Sequence, residues 1–197
     1  GLKLGAPIRM RSPDGKYTGL TNGRSFRLAS GRIVLEAWEG NDGYCYLSDD
    51  DGKTWTKDEE LPDSFAWLPR NAAFTMKDGR FALPISGHVD SVYAGFLLVL
   101  EPDNTNWKRI GLMPGGEQPT VIQRDNGELL RHPKVKESIS SDGGVTWTTP
   151  RDTELNCPDS GIAATKLKSG RVLLAYNNTP EWDRTPFNVI QSTDDGK

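Results

Sequence analysis

Cysteine, histidine and methionine are scarce in this chain, whose 197 residues include 2 Cys, 2 His and 3 Met. Cys45 and Cys157 lie far apart, so neither a disulfide framework nor metal-ligand spacing is present, and two buried free thiols are expected. Long apolar runs are missing too. The longest, Phe96 to Leu100, falls far short of the roughly 20 residues a membrane-spanning helix needs, and no amphipathic anchor is visible. Charge of one sign is not in excess: 24 Lys+Arg against 27 Asp+Glu leave a net charge of −3, which excludes the basic footprint of a nucleic-acid binder. There is no Walker loop, no G-x-G-x-x-G after a strand, no H-E-x-x-H and no clustered Cys/His set, so no cofactor and no metal is implied. The chain opens on Gly1 rather than Met, with no visible signal peptide. That reads as a processed or engineered start and leaves the compartment open.

What the chain does have is turn chemistry. With 21 Gly, 13 Pro and 6 Trp beside 35% hydrophobic and 26% charged residues, it reads as a globular, turn-rich, all-β protein. Four times a small or acidic residue plus Gly precedes an apolar run: Ser30-Gly31-Arg32-Ile33-Val34-Leu35, Asp78-Gly79-Arg80-Phe81-Ala82-Leu83, Asn126-Gly127-Glu128-Leu129-Leu130 and Ser169-Gly170-Arg171-Val172-Leu173-Leu174. Gly31, Gly79, Gly127 and Gly170 are separated by 48, 48 and 43 residues, a period of the size that propeller blades show.

A second signal follows at fixed phase. Ser48 to Trp55 and Ser140 to Trp147 both spell S-x-D-x-G-x-T-W, Ser192 to Lys197 begins a third copy, and Leu100 to Trp107 keeps the Trp with Pro102 and Asn104 in place of Asp and Gly. The motif makes physical sense as a tight hairpin turn. Asp accepts backbone N–H groups, Gly takes the positive-φ position, Thr re-enters the strand and Trp packs between neighbouring units. Asp50, Asp142 and Asp194 are therefore read as builders of structure.

This motif is similar to the Asp box of sialidases and of the wider BNR-repeat propellers. The stretch from Glu117 to Lys197, with Glu117-Gln118-Pro119-Thr120-Val121-Ile122 and Leu173-Leu174-Ala175-Tyr176-Asn177-Asn178, resembles the sialidase-like branch, as does Asn22 to Leu28. The resemblance implies a six-bladed β-propeller of four-stranded antiparallel blades. About four blades, near residues 20–58, 68–110, 117–149 and 159–197, would make up one domain over 1–197. Two further blades would lie beyond this chain, or copies would associate to complete the ring, or the propeller would be smaller than the family's, since radial repetition protects sheet edges only when the ring closes. A glycan substrate favours a secreted or periplasmic setting.

If the segment before each glycine turn is an inner strand and the next runs back antiparallel, the start of the first and the end of the second share one face. The starts are Arg24, Arg70-Asn71, Glu117-Gln118 and Asp159-Ser160; the returns end near Trp38-Glu39, His88 to Asp90, Arg131-His132 and Asn177-Asn178. Sialidase chemistry asks for arginines that grip a carboxylate bidentately, a Tyr paired with a Glu, and an acid/base that protonates the leaving oxygen. By the resemblance, Arg24 would be the first carboxylate-binding arginine, Arg131 the second and Arg184 a further one. Arg27, closer to its turn glycine, would be a surface residue.

Glu117 would polarise the tyrosine, and Gln118 would hydrogen-bond sugar hydroxyls. Asp90 is the acid/base candidate, with His88 beside it, and Asp159, Ser160 and Asn178 would face substrate. Tyr176 reads as packed, so the nucleophilic Tyr would come from blades beyond this chain. Two other classes compete with a sialidase-like hydrolase: a non-catalytic carbohydrate-binding propeller, and a polysaccharide lyase with His88 or His132 as base. Asn177-Asn178-Thr179 spells a glycosylation acceptor pattern, which only a eukaryotic secretory route would use.

Overall fold

The computed structural model describes residues 21–39, 42–58, 71–89, 92–102, 107–115, 118–132, 136–158 and 160–196. The chain divides into two compact units, Gly1–Ala66 and Trp67–Lys197. The first unit carries one antiparallel sheet made of β1 (Thr21–Arg27), β2 (Ile33–Glu39), β3 (Asp42–Ser48) and β4 (Thr56–Asp58), in that order. The second carries three. Its first sheet holds β5 (Phe74–Thr75), β6 (Phe81–Val89), β7 (Val92–Leu100) and β8 (Trp107–Pro114). The next holds β9 (Thr120–Gln123), β10 (Leu129–His132), β11 (Lys136–Ser140) and β12 (Arg151–Asp152). The last holds β13 (Ala163–Lys166), β14 (Val172–Asn177) and β15 (Phe187–Ser192). Three sheets thus have the four antiparallel strands expected of a blade, and the last has three. Among the described residues no helix is long and apolar enough to cross a membrane.

The glycine repeat makes one turn four times over. Leu28, Met76, Arg124 and Leu167 each donate their N–H to the carbonyl four residues on, at 2.7–2.8 Å, and accept from the turn glycine at 2.9–3.0 Å. Gly31, Gly79, Gly127 and Gly170 all sit at φ between 84° and 93°, where a Cβ is penalised. The S-x-D-x-G-x-T-W stretch lies at the same end of each sheet, as the pairing of Ile33 with Ser48 and of Leu129 with Ser140 requires.

In its two complete copies the Asp accepts from both following backbone N–H groups and from the Thr hydroxyl. The Ser hydroxyl accepts the glycine N–H at 2.8 Å, a bond that the third copy repeats. Led by the Thr hydroxyl bond, these donors hold the Asp50 and Asp142 carboxyls down at about 2. The structure adds a detail to the expected single positive φ. The residue before the glycine is left-handed as well, in Asp51-Gly52, Gly143-Gly144 and Asp195-Gly196.

Side-chain alternation then tells each sheet which neighbour it meets. In the second unit, Val121 and Leu129 pack with Met76, Ala82, Leu97, Val99 and Met113 of the preceding sheet. On the opposite face, Ile122 and Leu130 pack with Ile162, Ala164, Val172, Leu174 and Tyr176 of the following one. Burying such a side chain contributes about 1.5–3 kcal/mol, so these two layers hold the unit together. Trp147 packs against the preceding sheet, joining the first of these layers. The altered copy of the turn expected from Leu100 to Trp107 falls partly outside the described residues. Trp107 itself starts β8 and meets Phe81 edge-on. Cys45 is buried as expected, whereas Cys157 is only half-buried.

Candidate functional site

The end of each sheet opposite its turns is where the inner strands begin and their partners end. His132 pairs with Thr120, and Ala175 with Ala163, so in the second unit this end collects residues 118, 131–132, 160–162 and 177–178. Three successive sheets meet there. Asn71, buried at 3% exposure, donates through its amide to the Gln118 and Pro119 carbonyls at 2.9 and 3.0 Å, across 47 residues of sequence. Gln118 is thereby held at φ 51°, a left-handed backbone that a Cβ-bearing residue other than Asn or Asp seldom adopts. Its Oε1 lies 3.6 Å from where a Cβ on Gly161 would stand, so its side chain reaches the start of the next sheet. Thr120 locks the same seam, accepting the Ala164 N–H at 2.8 Å.

Around this seam stand further polar groups. Ser160 is buried, with the Cys157 thiol 3.5 Å from its carbonyl. Asn178 is exposed, accepts from the Asn156 amide at 3.3 Å and donates its N–H to Asn188. Arg131 is fully buried on the row formed by Val121 and Ser138, and loss of hydration lowers its guanidinium to about 10. Arg184 is exposed, and its carbonyl accepts the Asn177 amide at 2.7 Å.

Other nominated residues fare differently. Glu117, Asp90 and Asp159 lie outside the described residues. Arg24 occupies β1 opposite Glu36 and His88 occupies β6 opposite Tyr93, as far as their backbones are described. Arg27 is engaged at the turn end, bonding the Gly31 carbonyl and pairing with Asp51 at 2.8 Å. Tyr176 is buried at 2% exposure in the apolar layer between sheets. Asn177 of the glycosylation pattern is buried, and its amide is spent on the Arg184 and Pro186 carbonyls. Asn71 was legible only as a polar strand start, and its reach to the next sheet was not.

A separate cleft of about 290 Å³ runs along the inner strands β5, β9 and β13, lined among others by Phe74, Lys77, Val121, Gln123, Asp125 and Lys166. Its charges are already engaged. Lys77 bonds the Asp125 carbonyl, and Lys166 bridges the Asp125 and Asp195 carboxylates. It therefore acts as a clasp between sheets. Among the described residues no group of three or more His, Cys, Asp or Glu is placed to hold a metal.

Antiparallel four-stranded sheets, built on one repeated turn and stacked through alternating apolar layers, define a β-propeller of the kind found in glycosidases. The chain belongs to the BNR repeat-like domain family, whose model matches residues 11–197. Among solved structures it is similar to the α-L-arabinofuranosidase Arb93A of Fusarium graminearum in complex with an iminosugar inhibitor. The two share 13% identity at a TM-score of 0.60, over 94% of this chain and 64% of that one.

It is also similar to the NanB sialidase of Streptococcus pneumoniae, at 16% identity and a TM-score of 0.55, over 91% of this chain and 31% of that one. A Dyadobacter fermentans protein of unknown function gives 17% identity and a TM-score of 0.62, over 95% and 68%. The chain thus spans under two thirds of the length of both glycosidases. No curated protein matches it in sequence.

Proposed function

We propose that this chain supplies the substrate-gripping part of a sialidase-like exo-glycoside hydrolase that takes terminal acidic sugars of glycans, within one propeller domain over 1–197. The observation that carries the reading is the Asn71–Gln118–Gly161 constellation. A left-handed glutamine costs about 1–2 kcal/mol and persists only where its surroundings fix it, as the buried Asn71 amide does here. Strain held at a strand start, with an amide aimed across a seam between sheets, fits a group positioned to meet a ligand rather than one that builds the fold. Gln118 offers two donors and an acceptor to sugar hydroxyls.

In this reading Glu117, one residue earlier, is the carboxylate that works with the nucleophile, and Asp90 protonates the leaving glycosidic oxygen. Arg184 is the open cation for the substrate carboxylate, the enclosed Arg131 adds its charge from the interior, and His88, Asp159, Ser160 and Asn178 line the site. An arginine fork suits a carboxylate because two parallel N–H···O bonds form at once. Burial of Tyr46 and Tyr176 favours a second reading, a carbohydrate-binding propeller without a nucleophile.

The test is turnover of fluorogenic glycosides, a sialoside and an α-L-arabinofuranoside, by the chain and by its Glu117→Gln and Gln118→Ala variants. Sialoside release that falls at least 100-fold in Glu117→Gln supports the reading. Release from the arabinofuranoside alone overturns the acidic-sugar assignment, and sugar binding without turnover leaves the binding propeller.

A further inference from the structure

Among the large aromatics of the second unit whose side chains are described, all pack into a sheet or onto a turn except two, Trp182 at 82% and Phe187 at 68% exposure. The two exposures differ in kind. Phe187 opens β15 opposite Asn177, in the row where Val189 faces Ala175, on the face of the last sheet turned away from its apolar layer. Trp182 belongs to no strand. It stands on the connection between β14 and β15, at the end where β13 begins and where Asn156 bonds Asn178.

That connection is fastened at both sides of the indole. Asn177 holds the Arg184 carbonyl at 2.7 Å and the Pro186 carbonyl at 3.3 Å, and the buried Thr179 hydroxyl accepts the Glu181 N–H at 3.1 Å. An indole on a tethered loop keeps its position and forgoes burial. Its chain neighbours Glu181, Asp183 and Arg184 are all exposed.

We propose that Trp182 is a stacking platform for an uncharged glycosyl unit next to the terminal sugar, an inference that rests on the glycan reading above. A sugar ring offers an apolar C–H face bordered by hydroxyls, and an exposed indole flanked in the chain by two carboxylates and a guanidinium offers partners for both. An apolar sheet laid over Trp182 would instead strip water from Glu181, Asp183 and Arg184 without repaying it in hydrogen bonds. The two carboxylates against one guanidinium turn away a second acidic unit, so the platform takes a neutral one.

The test uses the full chain, Trp182→Ala and Trp182→Phe with two probes, sialyllactose and free sialic acid. Affinity is measured by calorimetry, and the indole N–H of Trp182 is followed by NMR after assignment from its loss in Trp182→Phe. Sialyllactose should move that resonance. Trp182→Ala should weaken sialyllactose at least 10-fold and leave sialic acid within twofold, while Trp182→Phe keeps most of the affinity. An exposed side chain adds little to the fold, so the melting temperature of Trp182→Ala should stay unchanged.

Unaltered sialyllactose affinity in Trp182→Ala overturns the platform while leaving the glycan reading intact. Equal weakening of both probes overturns the assignment to a second sugar unit. Binding of neither probe by the unmodified chain removes the glycan reading and the platform with it.

Discussion

The two ends of each sheet follow opposite rules. At the turn end the same bonds recur at the same lengths: the glycine N–H meets the Ser hydroxyl at 2.8 Å in all three copies, and the four glycine turns agree to within about 0.1 Å. At the other end nothing repeats. Gln118 is left-handed where Ser160 is buried, Arg131 is enclosed where Asn178 is open, and among the described residues only the last connection carries an exposed tryptophan. The difference separates scaffold from site. Repetition is what a stacked sheet needs in order to find its neighbour, whereas a ligand with no such symmetry requires each strand start to be different.

Substitutions should obey that division, and the largest effect belongs to the turn end. Gly111 sits at φ 65° beneath the Gly144 turn, and a Cβ there would stand 1.9 Å from the Gly144 carbonyl oxygen. Gly111→Ala should lower the unfolding free energy by about 2–5 kcal/mol, read from urea unfolding; an effect below 1 kcal/mol would break the comparison. Gln118→Gly should do the reverse at the other end. Relief of the left-handed backbone stabilises the chain by about 1 kcal/mol while glycan affinity falls, so melting temperature and binding move in opposite directions.

The pH dependence sharpens the turn end further. Asp50 and Asp142, held at about 2 against an ordinary 3.8, contribute stability above pH 4 that is lost as pH falls from there towards 2. Asp142 is exposed and Asp50 partly so, which keeps the slope shallow. Asp142→Asn should flatten it in urea midpoints measured from pH 5 to pH 2. The smallest effect is expected of Asn178→Ala, with stability unchanged within about 0.5 kcal/mol and a binding loss below that of Gln118→Ala in the same titration.

The turn end was legible in the sequence because its geometry rests on residue types with one purpose. Gly31, Gly79, Gly127 and Gly170 give the period, and Ser, Asp, Thr and Trp at fixed offsets give the second turn. The paired left-handed residues were half visible, since only Gly143-Gly144 shows two glycines where Asp51 and Asp195 do the same work. At the other end Gln118 could be nominated from its place at a strand start. Its backbone could not, because glutamine has no leaning to the left-handed region and the cause, Asn71, is 47 residues away. Arg124 was hidden likewise. It stands where the other repeats have Leu28, Met76 and Leu167, and it spends its guanidinium on the Asp195 and Gly196 carbonyls of the next sheet.

Arg131 and Arg184 carry the same charge in different media. Mobile ions gather around an exposed guanidinium and weaken its field beyond a Debye length of about 8 Å at physiological salt, but they cannot enter a closed interior. Arg184 is therefore a cation whose influence fades as ionic strength rises, and Arg131 one whose influence persists. In concentrated salt, whatever pull this end of the molecule retains on an anion is the pull of the arginine that water never reaches.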